Sequence, residues 1–236
     1  MRTIGILGGM SWVSTAHYYR RLNQMVGESR GGLHSAPVLL ASVDFAPIAR
    51  MQAEDRWDDA GALLAGAAAG LERAGAGLIM LATNTMHAVA DRVRAAVGVP
   101  FVHIADATAA AIRAAGLSRP GLIATAFTME RGFYLDRLRA AGLAPLVPGL
   151  DRRAEIHRII FDELCRDIVR PESRRVFEQA AAGLIADGAD CLVLGCTEVG
   201  LLLSPDNVAA PVFDTVEIHC RAALTTANAP TGEKDV

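Results

Sequence analysis

The chain has 236 residues, 52% of them hydrophobic and 21% charged, with a formal net charge of −3. That is ample apolar material for a sizeable core, yet no apolar run reaches the ~20 residues a spanning helix needs. Lys and Arg form no stripe, so neither nucleic acid nor an anionic membrane is an expected partner.

Met1-Arg2-Thr3 leads straight into a strand-like run, Thr3 to Leu7, so no signal peptide is expected. The run ends in Gly8-Gly9-Met10-Ser11, a glycine turn without GxGxxG spacing and hence weak support for a dinucleotide site. A helical pattern over Ser14 to Glu28 follows, then an apolar strand pattern over Pro37 to Val43. Gln52 to Trp57 reads as a polar approach to a helix; Gln52 can reach a cleft from there, the plain alternative being a solvated loop. Next come a helix over Trp57 to Ala74, a strand over Leu78 to Leu81, a polar tip Thr83-Asn84-Thr85, a helix over Met86 to Ala96, and a strand over Phe101 to Ile104 after Pro100.

The pattern then restarts, with Arg119 to Thr125 resembling Arg2 to Gly8. A helix near Met129 to Ala141, a short strand near Ala144 to Val147, and helices near Asp151 to Arg166 and Pro171 to Asp187 lead to a strand over Cys191 to Gly195. A last strand and helix, Val212 to Leu224, are expected to return to the first half; the polar tail Thr225 to Val236 is expected to fray. Apolar strands each followed by a helix imply an α/β fold with parallel sheets flanked by helices. We expect two similar lobes, residues 1–104 with 212–236 and residues 105–211, with ligand bound in the cleft beyond the strand ends.

One repeat is specific. Ala67-Ala68-Ala69-Gly70-Leu71 and Gly75-Ala76 precede the strand at 78; Ala180-Ala181-Ala182-Gly183-Leu184 and Gly188-Ala189 precede the strand at 191, at a gapless offset of 113 residues. In this register Thr83 aligns with Cys196. A duplicated unit of this kind can bring two polar tips to face each other across a cleft, suiting a reaction that needs a group on each side of one carbon. Cys196 is the leading candidate, because a strand end before a helix N-terminus favours an anion and commonly lowers a thiol pKa from about 8.5. A small buried hydrophobe is the plain alternative, and it is preferred for Cys165, Cys191 and Cys220. Thr83, Asn84 and Thr85 offer hydrogen bonds to a carboxylate or ammonium, or alternatively serve as helix caps. His87 can orient the tip; His34, His103 and His219 read as structural, and no ligand spacing points to a metal. Four isolated cysteines suggest a reducing, cytoplasmic setting.

Several marks together resemble the aspartate/glutamate racemase family: Ile4 to Trp12, Ser42-Val43-Asp44-Phe45, Thr83-Asn84-Thr85-Met86-His87, His103 to Thr108, and Gly195-Cys196-Thr197-Glu198. The resemblance covers nearly the whole chain. It implies two α/β lobes related by pseudo-two-fold symmetry, a homodimer, no cofactor, and α-proton transfer between two cysteines flanking the substrate. Here Thr83 stands where the family usually has the first cysteine, as in a branch with a Thr/Cys pair similar to bacterial L-aspartate/glutamate-specific racemases. The matching positions imply that Met10, Gln52, Asn84, Thr85, Thr125 and Thr197 line the substrate pocket, with Cys196 and Thr83 catalytic. Many members place a basic side chain near the helix end that here reads Glu163-Leu164-Cys165-Arg166. Two other readings remain: a one-cysteine decarboxylase or isomerase of small dicarboxylates on the same scaffold, and an amino-acid-binding protein without catalysis.

Overall fold

The computed structural model describes residues 1–230. β1 (Ile4–Gly8) is wholly buried and runs into α1 (Trp12–Arg30), whose first turn is capped by Ser11 accepting from the Ser14 N–H at 3.2 Å. β2 (Val38–Ser42) leads through Asp44, an N-cap, into α2 (Phe45–Ala53) and then α3 (Trp57–Arg73). β3 (Leu78–Leu81) ends at the Thr83 tip, followed by a 3-10 turn Thr85–Val89, α4 (Ala90–Ala95) and β4 (Phe101–Val102). These four strands form one parallel sheet in the order β2-β1-β3-β4.

α5 (Ile104–Ala114) crosses to the second half and buries Ile104, Ala109 and Ile112 in its core. There β5 (Pro120–Ile123), α6 (Ala126–Glu130), α7 (Gly132–Ala140), α8 (Leu150–Asp162) and α9 (Pro171–Ala186) precede β6 (Cys191–Leu194) and β7 (Val212–Asp214). The second sheet is parallel in the order β5-β6-β7. α10 (Thr215–Asn228) then packs Val216, Cys220, Ala223 and Ala227 against Ile4, Tyr18 and Leu78 of the first sheet's layer.

The expected return of residues 212 onward is thereby corrected in part. The strand stays in the second sheet, paired with β6, and only the helix crosses back. α10 also carries Thr225 to Asn228 in regular helix, so fraying does not begin at Thr225; residues 231–236 lie outside the described residues. Leu146 makes only an isolated bridge to Gly121 instead of the expected strand. Pro145 and Pro148 flank it and supply no N–H to extend a ladder.

The internal repeat is structural. At the offset of 113 residues β3 superposes in sequence on β6, and the end of α3 on the end of α9. The hinge between helix and strand is a glycine with positive φ in both copies, Gly75 at 101° and Gly188 at 94°. An L side chain is strained there, so the sharp reversal that lays each helix on its strand requires glycine. The strands are near-continuous Leu, Ile and Val, and all residues of β3 and β6 are buried. Each such side chain contributes roughly 1.5–3 kcal/mol of burial free energy.

Candidate active site

Every candidate residue lines one narrow cleft: Met10, Gln52, Thr83, Asn84, Thr85, Thr125, Cys196 and Thr197, together with Phe45, Ile160, Phe161, Cys165, Gly195 and Glu198. The cleft lies between the two sheets, because its walls are the loops after β1, β3, β5 and β6. Phe45 stacks on Phe161 across the lobes at 6.0 Å between centroids. Arg131 pairs with Asp55 and sits 4.5 Å over the Trp57 ring, which in turn meets Phe127 edge-on.

The Thr83 tip is held from behind. His87 is buried, and its Nδ1–H donates to the Thr83 carbonyl at 2.7 Å while its Nε2 accepts from the Ile104 N–H at 3.2 Å. Burial, with His103 and His219 nearby, pushes the His87 pKa well down, so the ring stays neutral. Asn84 makes no side-chain cap. Its Nδ2 donates to Thr215 Oγ1 at 3.1 Å, and Thr215 donates onward to the Leu194 carbonyl at 2.7 Å. With the Thr215 proton committed to Leu194, Thr215 must accept from Asn84, which assigns the amide nitrogen to that side. Asn84 Oδ1 is therefore an acceptor; it is buried and has no partner among the described residues, and Asn84 lines the cleft.

Gln52 lies in the last turn of α2 and is 4% exposed, so the solvated-loop alternative is set aside. Its Nε2 contacts Met86 Sδ, and its Oε1 is likewise buried without a partner among the described residues. Thr85 and Thr125 meet hydroxyl to hydroxyl across the cleft at 2.9 Å, with Thr128 within 3.3 Å of both. Thr125 also caps α6, so for this residue cap and cleft wall coincide.

The environment of Cys196 corrects the expectation of a lowered thiol pKa. The segment after the tip is a three-residue 3-10 turn, Val199–Leu201, too short to supply a helix dipole. Burial pushes the Cys196 thiol well above its ordinary range and the adjacent Glu198 carboxylate pushes it further; the Glu198 backbone N–H alone acts the other way. Cys196 donates to Glu198 Oε2 at 3.0 Å. The group at this tip is thus a thiol, its proton donated to the Glu198 carboxylate.

Of the six lining residues that the sequence reading did not propose, Cys165 and Glu198 bear on the chemistry. Cys165, taken there as structural, sits in the 3-10 turn Leu164–Arg166 and lines the cleft, its Sγ 3.9 Å from Glu198 Oε1. It occupies the place where the family resemblance implies a basic side chain; Arg166 is exposed. Glu198 is 3% exposed and bonded to both lobes. Its signal was available: at the repeat offset it aligns with Thr85, itself a candidate. Among the described residues no cluster of three His, Cys, Asp or Glu side chains is arranged to hold a metal.

A family model described as Asp/Glu/Hydantoin racemase matches residues 7–223. Among solved structures, the chain is 45% identical to a Yersinia pestis protein assigned to the Asp/Glu racemases, covering 96% of this chain and 99% of that one with a TM-score of 0.88. It is 34% identical to an aspartate racemase homologue from Pyrococcus horikoshii, over 97% of this chain and 100% of that one with a TM-score of 0.84. An aspartate racemase from Picrophilus torridus, at 23% identity, 96% and 94% coverage and a TM-score of 0.79, shares the fold.

Proposed function

The chain belongs to the Asp/Glu/hydantoin racemase family and is a racemase that works without pyridoxal phosphate, and from that premise we propose that it inverts the α-carbon of aspartate or glutamate with Cys196 on one face and Thr83 on the other. The observation that carries this reading is that both tips of the repeat open into one cleft. The two unpartnered carbonyl oxygens there, Asn84 Oδ1 and Gln52 Oε1, favour an amino acid. A buried acceptor without a donor costs free energy, and a substrate ammonium supplies donors that a malonate lacks. The hydroxyls of Thr85 and Thr125 offer donors to the substrate carboxylates, since no Lys or Arg lines the cleft among the described residues.

The two faces are chemically unequal. A threonine hydroxyl is a far poorer acid or base than a thiol at neutral pH. Cys196 exchanges a proton efficiently on its face, whereas delivery from the Thr83 side is slow or passes through water. Exchange with return to the same face then outruns inversion.

The test is loss of the α-proton signal in D₂O from each enantiomer of aspartate and glutamate, followed by NMR alongside chiral analysis. Fast exchange from one enantiomer with slow appearance of its mirror image supports the reading. No exchange from any of the four sinks it; carbon dioxide release from a malonate would then select the decarboxylase, and tight binding alone the binding protein. Thr83→Cys, which restores a thiol, is expected to speed inversion by about 10²-fold. An unchanged inversion rate would remove Thr83 from the second face.

A further inference from the structure

Side-chain donors are few along the cleft. The hydroxyls of Thr85 and Thr125 meet at 2.9 Å and together can serve one carboxylate. The Asn84 amide is committed to Thr215, the Gln52 amide to Met86 and the Thr197 hydroxyl to Glu198. Much of the remaining wall is carbon and sulfur: Met10, Phe45, Ile160, Phe161 and Cys165. No Lys, Arg or His lines the cleft among the described residues, while Glu198 brings a carboxylate of its own, which accepts from Ser11, Ser14 and Cys196. His157 lies behind this wall, 4.6 Å from Phe161 between ring centroids, and supplies no cation. Its Nδ1 accepts from the Ala126 N–H at 3.3 Å, and burial lowers its pKa from 6.5.

The α-carboxylate and α-ammonium are common to all amino acids, and the threonine hydroxyls and unpartnered carbonyl oxygens suit them. A second carboxylate meets a different environment. It must shed its water against Phe45, Ile160 and Phe161, with no cation to replace that water and with the Glu198 carboxylate in the same cleft. Desolvating a charge without a partner is strongly unfavourable, whereas an aliphatic chain gains by the same contact. Cys165 stands where the family resemblance implies a basic side chain, so the partner of a distal carboxylate is missing where one is expected. We infer that Phe45, Ile160 and Phe161 form a subsite for an uncharged side chain, and that the enzyme takes neutral amino acids with short aliphatic side chains ahead of aspartate and glutamate. The two acidic amino acids remain slower substrates, because they present the same groups on the α-carbon.

This inference rests on the racemase reading, and a panel of substrates separates the two. The wild-type protein is incubated in D₂O with matched pairs, 2-aminobutyrate against aspartate and norvaline against glutamate, in both enantiomers, and loss of the α-proton is followed by NMR. The neutral member of each pair is expected to show a kcat/KM about 10-fold or more above its acidic partner, with the difference in KM, since desolvation acts on binding. Ile160→Ala is expected to raise KM for norvaline about 10-fold and to leave KM for glutamate within about twofold. An acidic partner that exchanges as fast as the neutral one, or faster, overturns the inference and leaves the racemase reading intact. So does an advantage confined to kcat, and so does an Ile160→Ala protein that weakens both substrates equally. Should that variant fail to fold, the wild-type panel decides. Exchange from norvaline or 2-aminobutyrate with none from aspartate or glutamate supports the subsite and removes the acidic substrates from the reading. No exchange from any amino acid removes both.

Discussion

Cys196→Ala is expected to lower α-proton exchange by about 10³-fold, within the range a positioned acid or base contributes. No neighbour can take over. Cys165 also reaches Glu198, but its contact at 3.9 Å is looser than the 3.0 Å contact of Cys196. Thr83 offers only a hydroxyl. The fold should tolerate the change, because Cys196 borders the cleft rather than the packed interior, unlike the fully buried Cys191 and Cys220. Circular dichroism and a thermal melt similar to wild type would therefore accompany the loss. Serine is expected to rescue little, since it restores a hydrogen bond to Glu198 without a comparable acid. A Cys196→Ala protein that exchanged at the wild-type rate would show that the proton leaves by another route.

The second large effect is on stability in mild acid. His87, His103 and His219 cluster behind the Thr83 tip, His87 lying 4.5 Å from His103 and 5.8 Å from His219 between ring centroids. Each ring is committed as a neutral tautomer. His219 donates from Nε2 to the Val102 carbonyl and accepts at Nδ1 from the Tyr18 hydroxyl. His103 Nδ1 accepts from the Ala105 N–H and so caps α5. A proton on either Nδ1 abolishes an acceptor in the interior. Burial pushes both His219 and His103 down to about 4 from an ordinary 6.5, and lowers His87 as well.

The unfolded chain thus binds more protons than the folded one between about pH 6.5 and 4. Stability is full above pH 6.5 and falls as the pH drops through that window, by on the order of 3 kcal/mol for His219, with His103 acting in the same direction. That is a large share of an ordinary domain's 5–15 kcal/mol. Urea unfolding at pH 7 and pH 4.5 measures it, and the midpoint should be markedly lower at pH 4.5. Equal midpoints would mean that the cluster opens to water without unfolding. Glu217, held low chiefly by its hydrogen bond from Arg21, adds its loss at more acid pH than the histidines.

Some elements were plain in the residues and others hidden for definite reasons. α2 was missed because Phe45–Ala53 carries Pro47 and only a short apolar stripe, although Asp44 caps it and a proline is tolerated in the first turn. α5 was missed because Ile104–Ala114 is rich in alanine, which has high helix propensity and gives little periodic contrast. Its cap is a histidine, outside the usual capping residues. The strand expected at Ala144 to Val147 failed because prolines interrupt its donors.

By itself the sequence determined the alternation of buried strands and helices, the duplicated unit with its two glycine hinges, and the pairing of Thr83 with Cys196. These depend on local periodicity and on a gapless offset, both written along the chain. The tertiary structure alone decided that β7 stays with the second sheet while α10 crosses to the first, that Cys165 enters the cleft, and that Cys196 rests as a thiol. The last point turns on a carboxylate two residues away in sequence whose orientation is set by Ser11 and Ser14 of the other lobe. A thiol's pKa follows burial and the charges around it in space, and those are properties of packed lobes that no single stretch of chain contains.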